Sequence, residues 1–139
     1  MTDEFIEIGP GVKFIPDHDQ RNVAAFGVVY EYQRVWTSFT GRHESGVPLE
    51  VTEGLLEELR QRPGADLVDL DRGRVKPYTI FNFAGGIEML KADHLSLHLQ
   101  FDIQNIFNRR FAYNFGNPFS GTHFGNPRLI GGRLKLRFQ

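Results

Sequence analysis

The sequence predicts an all-β chain, an antiparallel meander of about five long strands that forms part of a transmembrane β-barrel. Three observations point there. Several segments alternate between an apolar and a polar or charged surface, as expected where successive side chains of a strand point to opposite faces. Each segment runs to about ten residues, longer than the ~5 to 6 usual for soluble strands and close to the ~9 to 11 that cross a bilayer when tilted. The connections between segments alternate short and long, as in bacterial outer-membrane barrels.

The first segment, Asn22 to Gln33, sets Ala24, Phe26, Val28, Tyr30 and Tyr32 against Ala25, Gly27, Glu31 and Gln33. Val35 to Arg42 is more polar, with Val35, Thr37, Phe39 and Gly41 as its outward face. Tyr78 to Leu90 places Thr79, Phe81, Phe83, Gly85, Ile87 and Met89 opposite Asn82, Ala84, Gly86 and Glu88. His94 to Phe107 sets Leu95, Leu97, Leu99, Phe101 and Ile103 against Ser96, His98, Gln100, Asp102 and Gln104. Pro127 to Gln139 gives the sharpest contrast, with Ile130, Leu134, Leu136 and Phe138 on one wall and Arg133, Lys135 and Arg137 on the other. An aromatic at the end of the apolar wall suits the interfacial girdle, where a flat ring sits among lipid headgroups.

Tight hairpins are predicted at Gln33 and Arg34 and at Lys91 to Asp93, while Met1 to Gln20, Glu44 to Pro77 and Asn108 to Asn126 are long. If the last strand ends in the periplasm, every short turn falls there and the long loops lie outside. Within the second long connection, Thr52 to Arg62 reads as a short helix. Thr52 caps it, Leu55, Leu56 and Leu59 gather on one side, and Pro63-Gly64 stops it. Its leucines are expected to pack on neighbouring loops.

Composition permits this reading. A hydrophobic fraction of 40% and a mean hydropathy of -0.34 look soluble, but a barrel wall turns only alternate residues to lipid. No run approaches the ~20 apolar residues of a membrane helix. No charged start followed by an apolar core reads as a secretory signal at Met1, although an exported protein is expected to have one. The absence of cysteine excludes disulfides and thiolate metal sites, and a net charge of -1 argues against a nucleic-acid-binding domain. His94 and His98 lie about 13 Å apart along a strand, too far to share an ion. Asp69 to Gly73 resembles the start of a calcium loop, but Ile80 stands where the closing Glu belongs. Asp17-His18-Asp19 has no nucleophile beside it, and neither a phosphate-binding glycine motif nor a Gly-x-Ser-x-Gly elbow occurs. No enzymatic activity, cofactor or metal is expected.

The stretch from Asp102-Ile103-Gln104-Asn105-Ile106-Phe107 through Gly125-Asn126-Pro127-Arg128 resembles the end of a TonB-dependent outer-membrane receptor. That family closes with an Asn-Leu-Phe-like strand end, an aromatic and glycine-rich loop, a Pro-Arg pair and a last strand finishing on an aromatic. Asn105-Ile106-Phe107, Pro127-Arg128 and Phe138 fill those positions. Upstream, Phe14 to Arg21 resembles a loop leading into a strand of such receptors, and Thr40-Gly41-Arg42 through Ser45-Gly46-Val47-Pro48 the exit of the next. One departure is Gln139, which follows the aromatic on which family members often end.

The resemblance implies that residues 1–139 are the C-terminal part of a roughly 22-stranded barrel, without its plug and without the segment that contacts TonB. About five strands fall short of even the smallest barrel of ~8. The chain is therefore expected to be a fragment, incompetent for transport alone. In the whole receptor, ferric siderophores or similar large nutrients would be taken up through the outer membrane of a Gram-negative cell. Gln100, Asp102, Arg133, Lys135 and Arg137, with Glu31 and Glu88, would face the lumen. Phe111, Tyr113, Phe115, Phe119, His123 and Phe124 would contact the ligand, or else pack the last loop onto the barrel rim. Implied partners are membrane lipid, the remaining barrel and plug, TonB through the missing part, and the assembly machinery. The alternative is a small soluble β-barrel or sandwich that binds an apolar ligand. Filling such a barrel with Arg133, Lys135, Arg137 and Glu88 would bury unpaired charge, while the inverted arrangement is an ordinary soluble protein.

Overall fold

A computed structural model of the chain describes residues 6–9, 12–14, 20–49, 56–92, 94–117 and 121–138. The chain is all-β with antiparallel pairing, and its residues divide into two units. One is a sheet unit, Ala24–Arg42, Thr79–Arg109 and Asn126–Gln139; the other is a loop unit, Met1–Val23, His43–Tyr78 and Arg110–Gly125.

Strands β1 (Ile6–Gly9) and β2 (Val12–Phe14) pair as a short hairpin. The five predicted long strands follow as β3 (Val23–Tyr32), β4 (Val35–Glu44), β7 (Tyr78–Ala92), β8 (Leu95–Gln104) and β11 (Leu129–Phe138), joined in one sheet of order β11-β8-β7-β4-β3. Between them lie α1 (Leu56–Gln61), β5 (Val68–Asp69), β6 (Arg74–Val75), β9 (Ala112–Asn117) and β10 (Gly121–Phe124).

The register keeps the predicted parity. Leu134 stands opposite Leu99 and Leu99 opposite Ile87, so one apolar row crosses three strands. The next row on the other face runs Lys135, His98, Glu88. In the pairing of β7 with β8 parity breaks at a bulge between Glu88 and Leu90, beyond which Leu90 pairs with Leu97 on the apolar side and Lys91 with Ser96 on the polar side. β7 runs on to Ala92, past its predicted end at Leu90, and Asp93 of the predicted turn lies outside the described residues. At the other short turn, Gln33 takes φ 52°, the left-handed value that a two-residue hairpin asks of a central residue.

Phe107 was expected within the fourth strand, but β8 stops at Gln104 because Asn105 and Asn108 both adopt φ 50°. Asn105 holds that bend with its side chain. Its Oδ1 accepts the Arg109 amide at 2.9 Å, and its Nδ2 donates to the carbonyls of Arg109 at 2.9 Å and Asn126 at 3.0 Å. It is 4% exposed, so its partners are not replaced by water at no cost. Asn105→Ala should destabilise the end of β8 by about 2 kcal/mol, read as faster amide exchange at Arg109, with exchange at Leu99 unaffected.

The hydrophobic core lies in the loop unit. Leu59, Val68, Val75, Ala112 and Phe115 form one cluster, bordered by Val47, Leu49 and Leu67. Leu59, fully buried, is the leucine of the predicted helix that the structure describes in full, and it packs as expected; Thr52 and Leu55 lie outside the described residues. The helix ends before Pro63, and Arg62 pairs with Glu58 one turn back at 2.6 Å. The last long connection, read from sequence as a loop, contains the β9 and β10 hairpin instead.

Candidate functional site

The polar face of the sheet is built by the register of β8 against its two neighbours. Gln100 stands between Arg133 and Gly86, Ser96 between Arg137 and Lys91, and Asp102 between Gly131 and Ala84. Directly opposed residues share a face, so the five predicted lumen residues, Gln100, Asp102, Arg133, Lys135 and Arg137, lie on one surface. That surface is concave. Its hollow, about 450 Å³, is lined by Glu31, Glu88 and His98 as well as by Arg133, Lys135 and Arg137.

Two side chains lie flat across glycines of the neighbouring strand. A Cβ at Gly86 would come within 2.4 Å of the Trp36 indole nitrogen, and one at Gly131 within 2.7 Å of an Asp102 carboxylate oxygen. The glycines thus make room for an aromatic plate and a carboxylate on the concave side. Toward the loop end, Asn82 donates to Thr40 at 3.2 Å and accepts the Asn105 amide at 3.0 Å. Charges of both signs line it, with Lys91, Lys135, Arg137 and Glu88 toward the short-turn end and Asp102 toward the other. Such a wall can hold anionic or hydrogen-bonding partners by direct contact. Among the described residues no group of three or more His, Asp and Glu is arranged to hold a metal ion.

The aromatic set predicted for ligand contact divides. Phe111 and Phe115 are 4% and 1% exposed; Phe115 belongs to the loop-unit core, and Phe111 stacks on Tyr78 with ring centroids 4.4 Å apart. Gly125 lets the Phe111 ring close down, since a Cβ there would fall 2.0 Å from it. These two rings therefore pack within the loop unit and are not open to a ligand arriving from solvent. Tyr113 and Phe124 remain about half exposed and His123 is exposed. The hairpin sets Phe124 opposite Ala112 and His123 opposite Asn114. Phe119 lies outside the described residues.

Sequence reasoning passed over Glu44. Only 3% exposed, it accepts a hydrogen bond from the Tyr78 hydroxyl and another from Gln20 Nε2 at 2.6 Å on the same carboxylate oxygen. Strand parity could have found it. Continuing β4 by one step past Arg42 puts Glu44 on the face of Thr40 and Arg42, whereas reading it as the first loop residue placed it in solvent. The Asp17-His18-Asp19 group lies outside the described residues. No family model, curated protein or solved structure matches the chain.

Proposed function

We propose that the sheet unit is a section of the wall of a membrane-spanning β-barrel in an outer membrane, and that the chain is the C-terminal segment of a TonB-dependent receptor for ferric siderophores or similar large nutrients. One observation carries the membrane reading. Among the described residues, every buried hydrophobic side chain belongs to the loop unit, and of the five long strands only β7 contributes one, its first residue Tyr78. Its apolar face stays open instead, with Val28 63%, Ile130 65% and Leu134 62% exposed. In water a contiguous apolar face of this kind is a liability that monomers rarely leave uncovered. A bilayer turns the same exposure into stabilisation.

The face that curves inward is the charged one. A soluble ligand-binding barrel would need the reverse, an apolar hollow, so the arrangement speaks against the alternative built around an apolar ligand. The family assignment rests on the sequence resemblance at Asn105-Ile106-Phe107, Pro127-Arg128 and Phe138. In that reading the concave wall meets the plug and the passing nutrient, and energy arrives through TonB by parts of the receptor beyond this segment.

The test is the behaviour of the 139-residue chain in two solvents. Diluted from denaturant into buffer it should aggregate, because β3 and β11 present long edges that no other described strand covers. Diluted into lipid vesicles it should float with them and gain β-structure. A monodisperse, cooperatively melting monomer in buffer that ignores vesicles would overturn the proposal.

A further inference from the structure

We infer that Arg109 and Arg128 form a binding site for the phosphate of an anionic lipid headgroup at the long-loop rim of the sheet. The inference rests on the membrane-wall reading. Its first support is an aromatic band. On the apolar face Phe26, Phe39 and Phe81 meet ring to ring, with Phe39 stacked on Phe81 at 5.6 Å, and Phe107 stands edge-on to Phe81 at 5.6 Å. Phe107 is 72% exposed, just past the end of β8. Phe81, near the start of β7, and Phe107, past the end of β8, carry this aromatic cluster to the loop end of the wall, where rings belong at the headgroup boundary.

The second support is how the bend holds its two arginines. The Arg109 amide donates to Asn105 Oδ1 and the Arg128 amide to Asn108 Oδ1, both at 2.9 Å. Both arginine backbones are thereby tied to the bend that carries Phe107. The Arg128 guanidinium reaches the Ile106 carbonyl through Nη1 at 3.5 Å, a long contact that leaves its other donors for a partner. Both residues are exposed, and among the described residues neither forms an ion pair with a carboxylate.

The third support is charge. Residues 105–128 hold three arginines and no Asp or Glu, in a chain whose net charge is -1, and of the three it is Arg110 that pairs with a carboxylate elsewhere, Asp66. Nothing acidic in this stretch competes for the guanidinium groups, whose planar donors match phosphate oxygens two at a time. A basic group beside interfacial aromatics is complementary to an anionic headgroup, and each arginine near such a surface contributes appreciable attraction. A free phosphate offers the same oxygens but gives Phe107 nothing to enter.

The experiment compares flotation of the full chain with vesicles of phosphatidylcholine alone and of phosphatidylcholine mixed with phosphatidylglycerol. The unaltered chain should bind the mixed vesicles more tightly. The double variant Arg109→Gln/Arg128→Gln should lose that preference, weakening about fivefold per arginine on mixed vesicles and little on neutral ones. Arg109→Lys/Arg128→Lys should keep most of the preference. Arg60→Gln/Arg72→Gln, which removes equal charge from the loop unit, should leave it intact. Added inorganic phosphate should compete only as salt does. If the unaltered chain floats equally with both vesicle types, or the loop-unit variant loses as much, the headgroup site is wrong while the membrane wall stands. If inorganic phosphate displaces the chain at concentrations where chloride does not, the site is one for free anions and the headgroup assignment fails. If the chain floats with neither, the membrane wall fails and the headgroup site with it.

Discussion

Gly46→Ala should disrupt the loop unit, with a loss of about 4 kcal/mol, among the largest expected of a single methyl group. Two penalties coincide there. Gly46 has φ +81°, where a side chain is strained at about 1 kcal/mol or more. The added Cβ would also fall 2.0 Å from the Val75 carbonyl oxygen, a backbone atom that no rotamer change can move aside. The surrounding backbone has little room to yield. The Val75 amide donates to the Val47 carbonyl at 2.9 Å, and the Leu49 amide to the Gly73 carbonyl at 2.8 Å, so residues 47 to 49 are laced to β6. Val75 itself is 1% exposed and belongs to the core. Gly73→Ala supplies the comparison, because Gly73 has φ +60° but nothing within 4 Å of its missing Cβ. It should cost only the conformational part, about 1 kcal/mol. Trypsin cleavage after Arg72 and Arg74 in the lipid-reconstituted chain reads the difference. Equal cleavage rates for the two variants would refute the steric contribution.

The five long strands could be read from sequence because strand parity is a local property that survives without knowledge of neighbours. Leu95, Leu97, Leu99, Phe101 and Ile103 fall on one face whatever stands beside them, and the pairing of Leu134 with Leu99 follows once both strands are placed. What the sequence did not disclose depends on contacts made at a distance. The end of β8 is set by Asn105, whose side chain bonds to Asn126, 21 residues away. The bulge after Glu88 is visible only in the pairing of β7 with β8, and it exchanges the roles that parity assigned to Leu90 and Lys91. Among the predicted site residues, the concave set follows from alternation alone. The aromatic set does not, since an aromatic residue in a glycine-rich loop serves equally to bind and to pack. For Phe111 and Phe115 the glycine at 125 and the leucine at 59 decide for packing.

Leu99→Arg should abolish stable insertion of the sheet into vesicles, whereas His98→Arg, one residue away, should leave insertion nearly unchanged. Leu99 is the fifth of the ten residues of β8, a strand about 33 Å long at ~3.3 Å per residue, so it sits near the middle of any bilayer the strand crosses. Ile87 and Leu134 flank it on the same face, and all three are at least 40% exposed. An arginine in that row has no carboxylate opposite it and would stand in hydrocarbon, at about 2 to 4 kcal/mol. His98 points to the other side, between Glu88 and Lys135. An arginine there gains one opposite charge and one like charge in a polar hollow, and the two contributions nearly offset. Unfolding of both variants by urea in vesicles gives the two free energies directly. Similar losses for the pair would mean that the two faces share one environment, and the charged wall could then no longer be assigned to the barrel interior.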